Sequence, residues 1–206
     1  MLDYEDQFYS QDVKAIVGVD EAGRGPLAGP VFAAAVILPP GYHNEAINDS
    51  KQLSAKKRDA LFDEIKRVAL SYGIASVDAD EIDKLNIYEA TKVCMKKAIA
   101  QLHVPYQMII TDGMPLNGYE VPVVPLVKGD AKCENIAAAS ILAKVARDRY
   151  MEELEKEYPA FRFGKHKGYG TKLHMDELKE NGPIEGVQRR SFAPVRSFFE
   201  EQLKLF

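Results

Sequence analysis

The sequence predicts a mixed α/β sheet flanked by helices, with a small helical extension at the C-terminal end. Short apolar runs typical of buried strands come first, then alternate with helix-like segments, and only helix-like segments follow. The chain has 206 residues, 46% of them hydrophobic, which is enough for one domain with a proper core. We expect residues 1–156 to form this core, and residues 157–206 to form a basic loop and helical extension that pack on it.

Apolar runs and capping signals place the elements along the chain. Strands are expected over 14–19, 31–38, 74–77, 108–111 and 121–127. The last run contains two prolines, so it can only be an edge strand or an interrupted one. A first helix is expected to begin at Ser54 and to end by Gly73, and a helical region with a break near Asn86 is expected from Asp80 through Leu102. Further helices are expected from Asp130 or Ala131 to about Lys156, over 172–180 and over 194–206.

Several features indicate a cytoplasmic protein that does not enter membranes. No apolar run approaches the roughly 20 residues that span a bilayer. The acidic N-terminus lacks the apolar core of a signal peptide. Cys94 and Cys133 lie far apart without a metal-type spacing, which favours two reduced, buried thiols.

Two adjacent acids, Asp20 and Glu21, follow the first apolar run and precede a Gly-Arg-Gly turn. Neighbouring residues inside a strand face opposite sides, so both acids can serve one site only if the strand ends there. Crowded carboxylates repel each other unless a hard cation such as Mg²⁺ neutralises them. The turn, Gly23-Arg24-Gly25, offers backbone N–H groups that can approach a ligand and a guanidinium suited to phosphate.

Two further acids stand at the ends of predicted elements. Asp112 ends a buried strand and Asp130 precedes the long helix. Singly, they read as an ordinary turn residue and an ordinary N-cap. Together with Asp20 and Glu21, they indicate a divalent-metal site of the kind that assists phosphodiester hydrolysis.

A basic run between Phe161 and Lys172 contains four cationic side chains, a histidine, glycines and Tyr169, but no acid. This pattern is consistent with a loop that tracks phosphates, although a solvated loop explains the charge equally well. The net charge of the whole chain, −4, does not by itself indicate a nucleic-acid-binding protein.

Several blocks resemble the ribonuclease HII (type 2 ribonuclease H) family, and they occur in family order between about residues 12 and 196. The matching blocks are Asp20-Glu21-Ala22-Gly23-Arg24-Gly25-Pro26, Asp49-Ser50-Lys51, Gly129-Asp130-Ala131-Lys132, the stretch from Ile136 to Asp148, His166-Lys167-Gly168-Tyr169-Gly170-Thr171, and Arg189-Arg190-Ser191-Phe192-Ala193-Pro194-Val195. The sequence departs from the family at Gln188, where histidine is common, and at Glu134, which could add negative charge near the metals.

The resemblance implies a ribonuclease-H-like sheet and a catalytic, metal-binding set formed by Asp20, Glu21, Asp112 and Asp130, with Mg²⁺ or Mn²⁺ as cofactor. It implies cleavage 5′ to ribonucleotides in RNA/DNA hybrids and at single ribonucleotides embedded in duplex DNA, leaving 3′-hydroxyl and 5′-phosphate ends. The alternatives are another nuclease of the same superfold and a non-catalytic hybrid-binding module. A module of the latter kind would not need four acids, and a DNA-only enzyme would not need a reader of the 2′-OH.

The resemblance also assigns the substrate contacts. Backbone groups of Gly23, Arg24 and Gly25 would meet the ribose 2′-OH, and Tyr169 would pack on the sugar of the following deoxynucleotide; a loop aromatic packed on the core is the alternative for Tyr169. Four lysines are candidates for phosphate contacts, although each could simply be solvated: Lys51, Lys128, Lys144 and Lys167.

The C-terminal residues Gln202-Leu203-Lys204-Leu205-Phe206 resemble the peptide by which bacterial replication and repair proteins dock on the sliding clamp. Gln202 would supply hydrogen bonds, and Leu203, Leu205 and Phe206 would be the apolar anchors. The alternative is that these apolar residues only complete an amphipathic helix.

Overall fold

A five-stranded mixed sheet forms the centre of the molecule. The computed structural model describes residues 2–47 and 54–203, the last three of them by backbone alone. The strands are β1 (Ile16–Ala22), β2 (Val31–Ile37), β3 (Ser71–Val77), β4 (Met108–Asp112) and β5 (Val123–Leu126). Their order across the sheet is β3-β2-β1-β4-β5, in which β1, β2 and β3 are antiparallel neighbours, while β4 runs parallel to both β1 and β5.

Helices cover both faces of the sheet and extend from one end of it. They are α1 (Ala55–Val68), α2 (Ala79–Leu85), α3 (Ile87–Ile99), α4 (Glu134–Glu157), α5 (Phe163–His166), α6 (Lys172–Asn181) and α7 (Ala193–Leu203). Two short 3₁₀ turns add to these, at Tyr4–Phe8 and Gly129–Ala131. The mixed α/β fold class predicted from the sequence is therefore confirmed.

The alternation of side chains along β1 separates two layers of core. Val17 and Val19 face α3, where they join the buried residues Cys94 and Met95. On the opposite face, α4 lies against β1 and β2, and α1 packs beside it. Both cysteines are free and buried, as expected from their spacing.

The structure confirms some of the element boundaries predicted from the sequence and corrects others. β5 is an edge strand, as its prolines require, and the Ser54 side chain caps α1 by accepting a hydrogen bond from the Lys57 N–H. The expectation that Gly73 ends the first helix is wrong, because Gly73 lies inside β3, where a Cβ would overlap the carbonyl oxygen of Ala98. The cap of α2 is Asp78 rather than Asp80.

Two corrections bear on function. The long helix begins at Glu134, not at Asp130 or Ala131, because residues Gly129–Ala131 form the separate 3₁₀ turn. The basic run is not entirely loop, since its Phe163–His166 segment forms the single turn α5.

Other expectations are not tested by the structure. Asp49, Ser50 and Lys51 lie outside the described residues, as do positions 204–206 beyond the end of α7. The division into residues 1–156 and 157–206 stays a prediction. Within the described part of the chain, no helix is long and apolar enough to cross a membrane.

Gly18 is the position in β1 where α4 comes closest. A Cβ at this position would overlap backbone atoms of Asn135 and Ile136, so Gly18→Ala should force the helix away and lower the free energy of unfolding by about 1–3 kcal/mol or more. Thermal or urea unfolding measures this loss. Gly25→Ala is the matched control, because its Cβ would meet nothing nearer than 3.8 Å, and a similar loss in both variants would contradict the close approach.

Candidate active site

Three carboxylates meet at the carboxyl end of the two central parallel strands. Val19 of β1 pairs with Thr111 of β4, so Asp20 and Asp112, one residue further on, are neighbours on the α4 side of the sheet. Asp130 reaches the same place from the 3₁₀ turn before α4. One carboxylate oxygen from each of Asp20, Asp112 and Asp130 lies within 4.8 Å of the other two.

The backbone around Gly129 brings Asp130 to the strand ends. Lys128 adopts the left-handed conformation, with φ 56°, which turns the chain sharply before the 3₁₀ segment. The Gly129 N–H then donates a 2.8 Å hydrogen bond to Asp112 Oδ1. A Cβ on Gly129 would lie 2.5 Å from Cδ1 of Ile136, so a larger residue here would require that side chain to move.

The electrostatics of Asp20 are those of a cation ligand. The side chain is only 4% exposed, and burial raises its pKa well above the usual range. The neighbouring charges of Glu21 and Asp112 raise the pKa further, whereas hydrogen bonds from the Glu21 N–H and the Ser140 side chain oppose the shift. A divalent cation between these oxygens would remove both the repulsion and the penalty of burying the charge.

Glu21 does not join the three-carboxylate cluster. β1 continues to Ala22, so Asp20 and Glu21 lie inside the strand, and the expectation that the strand ends before them is wrong. Glu21 Oε1 instead lies 3.3 Å from Arg24 Nη1. Burial raises the pKa of Glu21, whereas the contact with Arg24 lowers it. The negative charge of Asp112 also raises the pKa of Glu21, so Glu21 interacts electrostatically with the cluster. Among the described residues, its buried Oε2 atom has no hydrogen-bond partner.

A fully buried arginine holds the Gly23–Gly25 turn from below. The Arg189 guanidinium donates hydrogen bonds to the carbonyl oxygens of Gly23 at 2.7 Å, Arg24 at 3.0 Å and Gly29 at 2.8–2.9 Å. A trans peptide directs its C=O and N–H to opposite sides, so the N–H groups of Arg24 and Gly25 point away from Arg189. Both residues are exposed, which leaves these two donors on the surface of the turn.

A second buried arginine joins this turn to the basic segment. Arg147 of α4 donates to the carbonyl oxygens of Pro30 at 3.1 Å, Ala28 at 3.2 Å and Lys167 at 3.0 Å. Its guanidinium lies 6.0 Å below the ring centre of Tyr169, which is 45% exposed. Tyr169 is therefore not packed into the core, and its ring lies beside the turn above a buried positive charge.

A cavity of about 170 Å³ lies between Glu21, the first residue of the Gly23–Gly25 turn and the ring of Tyr169. Its lining residues are Glu21, Ala22, Gly23, Ser140, Lys144, Arg147 and Tyr169. The structure thus brings three groups of residues, distant in sequence, to one concave surface.

The lysines predicted to contact phosphates differ in their surroundings. Lys128 is exposed beside Asp130. Lys144 Nζ lies 2.6 Å from Asp148 Oδ1, and Lys167 Nζ lies 2.7 Å from Glu152 Oε1, so each would have to exchange a carboxylate for a phosphate. Lys51 lies outside the described residues, as do Leu205 and Phe206, and the side chains of Gln202 and Leu203 are not described either.

Gln188 and Glu134, which depart from the family pattern, have structural partners. Gln188 is buried, bridges to Ala28 and accepts a 2.6 Å hydrogen bond from the Ile184 N–H. Glu134 accepts hydrogen bonds from the Asn44 N–H at 2.7 Å and from His43 at 2.9 Å. Its carboxylate is thus engaged with the loop after β2 rather than with the three-acid cluster.

Sequence reasoning missed the residues that hold the site in place. Ser140, Arg147 and Arg189 were visible only as members of motif blocks, and no local pattern distinguishes a buried arginine bonded to carbonyl groups from a solvated one. The neighbours of the two arginines give no such signal either, since Asp148 follows Arg147 and a second arginine, Arg190, follows Arg189.

Comparisons with known proteins agree with this geometry. The family model described as Ribonuclease HII matches residues 17–195. Ribonuclease HII of Listeria monocytogenes is 50% identical over 196 residues, which are 95% of this chain and 74% of the relative. The crystal structure of ribonuclease H2 from Pyrococcus horikoshii is 28% identical, with a TM-score of 0.78 over 92% of this chain and 99% of the other. A structure of the PCNA:RNase HII complex from Archaeoglobus fulgidus is 27% identical, with a TM-score of 0.72 over 86% and 95% of the two chains. The chain belongs to the ribonuclease HII family of endoribonucleases.

Proposed function

We propose that this endoribonuclease cleaves the phosphodiester 5′ to a ribonucleotide, both in RNA/DNA hybrids and at single ribonucleotides in duplex DNA, to leave 3′-hydroxyl and 5′-phosphate ends. The observation that carries the proposal is the cavity shared by Glu21, Gly23 and Tyr169, together with Ser140, which lines the same cavity and hydrogen-bonds to Asp20 of the three-carboxylate cluster. A nuclease that must find a ribose next to a deoxyribose needs metal ligands and sugar contacts within one nucleotide step of each other.

The acids fit Mg²⁺ or Mn²⁺. Asp20, Asp112 and Asp130 offer hard oxygen donors at close quarters, and the burial of Asp20 favours a bound counter-charge. When bound, divalent cations supply Lewis acidity at the scissile phosphate and stabilise charge on the attacking and leaving oxygens. The three aspartates would bind the cation. Ser140 orients Asp20, and the Gly129 N–H orients Asp112, through hydrogen bonds.

Glu21 is proposed as the fourth acid of the site. Its Oε2 atom is buried and lacks a hydrogen-bond partner in the described part of the chain, so an acceptor is available on the cavity wall. The contact with Arg24 holds the other oxygen only at 3.3 Å and involves a half-exposed guanidinium, so a phosphate could draw Arg24 away at little cost.

Recognition of the ribose would come from the turn. The outward N–H groups of Arg24 and Gly25 can donate to a 2′-OH, which is the group that distinguishes RNA from DNA at a given position. Arg189 keeps these peptides oriented before substrate arrives, because it binds their carbonyl oxygens from the buried side. This arrangement lowers the ordering cost that a flexible glycine turn would otherwise incur.

Tyr169 would read the other side of the junction. Its exposed ring faces the turn, with Gly25 near enough that a Cβ there would lie 3.8 Å from Tyr169 Cε1. A deoxyribose lacks the 2′-OH and presents a flat apolar face, which suits an aromatic ring. Lys144 lines the cavity beside this ring, and Lys51, Lys128, Lys144 and Lys167 are proposed to contact phosphates.

The cellular setting follows from the substrate. Ribonucleotides embedded in DNA arise during replication, so we propose a role in DNA repair close to replication, in the cytoplasm, with docking on the sliding clamp through the C-terminal residues. The Archaeoglobus fulgidus relative, solved in a complex with PCNA, supports such docking by analogy. Tethering would raise the effective concentration of the enzyme on newly copied DNA.

Removal of a metal ligand should abolish catalysis without unfolding the protein. We expect Asp20→Asn and Asp130→Asn to lower kcat by at least about a hundredfold, because each removes a charged ligand. Melting temperatures in EDTA should hold or rise, since repulsion between the acids is relieved. Asp63→Asn, at an exposed position on α1, is the control and should cleave normally. A near-normal rate in Mg²⁺ for either site variant would disprove the assignment.

Loss of the aromatic ring should impair recognition of the junction. Tyr169→Ala should reduce kcat/KM on a duplex with one ribonucleotide by about tenfold or more, the scale of one lost stacking contact. Tyr88→Ala removes a comparably exposed tyrosine on α3 and should have no effect. Incision by Tyr169→Ala at the wild-type rate, measured at subsaturating substrate, would contradict the proposed contact.

Shortening the chain tests the clamp interaction. A form that ends at Glu201 should lose binding to the sliding clamp in a titration, yet cleave free oligonucleotides at close to the normal rate, because the removed residues lie beyond the proposed site. Phe206→Ala in the full chain should weaken clamp binding in the same direction. Equal affinity of the full and shortened forms would exclude docking through these residues.

A further inference from the structure

Two buried imidazoles lie directly beneath the loop that carries Tyr169. The rings of His166 and His174 stack with centres 4.3 Å apart and an angle of 12° between their planes. Phe163 contacts both rings edge-on, and Phe161 contacts His174 in the same way. Neither imidazole lines the cavity beside Tyr169 or belongs to the three-carboxylate cluster, so catalysis at the metal site does not account for them.

The hydrogen bonds of His166 determine which nitrogen carries the proton. The Gly168 N–H donates to Nδ1 at 3.1 Å, so Nδ1 must hold a lone pair. Nε2 then carries the hydrogen and donates it to Glu177 Oε2 at 2.9 Å. His166 is therefore neutral, and its Nδ1 fixes the backbone one residue before Tyr169.

His174 has the opposite tautomer. Its Nδ1 lies 3.1 Å from the carbonyl oxygen of Tyr169, which can only accept, so Nδ1 carries the hydrogen. Its Nε2 is buried and has no hydrogen-bond partner among the residues that the structure describes. A proton on Nε2 would thus be a buried N–H without an acceptor, stacked against a second ring.

We propose that His166 and His174 are positioning residues that hold the backbone of Tyr169 in the conformation that reads the junction, and that they do so only while both rings are uncharged. The inference rests on the proposed function of Tyr169. His166 accepts a hydrogen bond from the Gly168 N–H, and His174 donates one to the carbonyl oxygen of Tyr169. The pair therefore holds the backbone on both sides of the aromatic residue.

Acid should weaken this support. The charged groups that face the pair are Glu177 of α6, Glu155 of α4 and Arg162 before α5. Burial lowers the pKa of His174 to about 4 and, despite Glu177, lowers the pKa of His166. Because both pKa values lie below that of an unfolded histidine, about 6.5, the pair stabilises the hydrogen-bonded conformation of the loop above that pH and loses this effect as the pH falls.

Histidine NMR tests the proton positions in the unmodified protein. Long-range ¹H–¹⁵N spectra between pH 8 and pH 5.5 should show His166 protonated on Nε2 and His174 on Nδ1, with no titration of His174 and with any titration of His166 shifted below the usual histidine range. His43, exposed beside Glu134, should titrate in the same spectra, since the hydrogen bond to Glu134 raises its pKa. Titration of either buried ring near pH 6.5, or the reverse tautomers, would overturn the proposal.

A double-mutant cycle tests whether His174 acts through Tyr169. On a duplex with one ribonucleotide, His174→Leu should raise KM by about tenfold, with kcat changed by less than about twofold. His174→Asn, whose amide N–H replaces that of Nδ1, should restore KM to within about threefold of the wild type. In a Tyr169→Ala background, His174→Leu should add less than about a twofold change, because the ring to be positioned is absent.

The control is His103→Leu, an exposed histidine whose ring contacts Ser71 at the start of β3 rather than the Tyr169 loop, and this change should leave KM unchanged. An equal rise of KM in both backgrounds, or equal damage from His174→Asn and His174→Leu, would show a general structural role and refute the positioning role. If Tyr169→Ala itself cleaves normally, the reading role of Tyr169 fails, whereas the NMR result still decides whether the two imidazoles hold the loop.

Discussion

The close approach of α4 to β1 is the constraint on which the rest of the structure depends. Gly18 leaves room for the helix backbone to rest directly on the strand, and no larger residue could do so. This contact sets Ser140 against Asp20 and sets Arg147 of the same helix beneath the turn that follows β1. One helix therefore aligns the acids and the proposed substrate surface with respect to the same strand.

Negative charges are buried on one side of the site and positive charges on the other, and the two are stabilised in different ways. The acids lie where two parallel strands end, and a bound cation would relieve the repulsion between them. Arg147 and Arg189 are bound by carbonyl oxygens rather than carboxylates, so they keep their full positive charge close to the turn. Burial lowers the pKa of Arg189 to about 9, which still leaves the guanidinium protonated at neutral pH.

Residues near the C-terminal end of the chain support a surface formed by residues near its N-terminal end. Arg189 lies 160–166 positions after the carbonyl groups that it binds, and the Leu27 N–H donates to the Gly168 carbonyl at 2.8 Å. The Gly23–Gly25 turn and the Tyr169 loop are thus parts of one hydrogen-bonded unit. This connection gives a physical reason why two loops with little regular structure can present a rigid surface.

The sequence by itself determined the mixed sheet, the edge position of β5 and the cap at Ser54, and it singled out four acids, three of which cluster. These depend on local features: apolar periodicity, proline, a hydroxyl at a helix start, and carboxylates at the ends of elements. Motif resemblance added the family and the residues of the proposed substrate contacts.

Only the tertiary structure decided how those residues are arranged. Whether Asp20 and Glu21 share a site depends on where β1 ends, and cross-strand pairing with β2 carries the strand through both of them. Pairing between β1 and β4 sets Asp20 beside Asp112, and the left-handed turn at Lys128 brings in Asp130. The roles of Arg147, Arg189, His166 and His174 depend on burial and on partners distant in sequence. Such long-range contacts leave no local pattern in the chain, because their energy arises only when the elements come together.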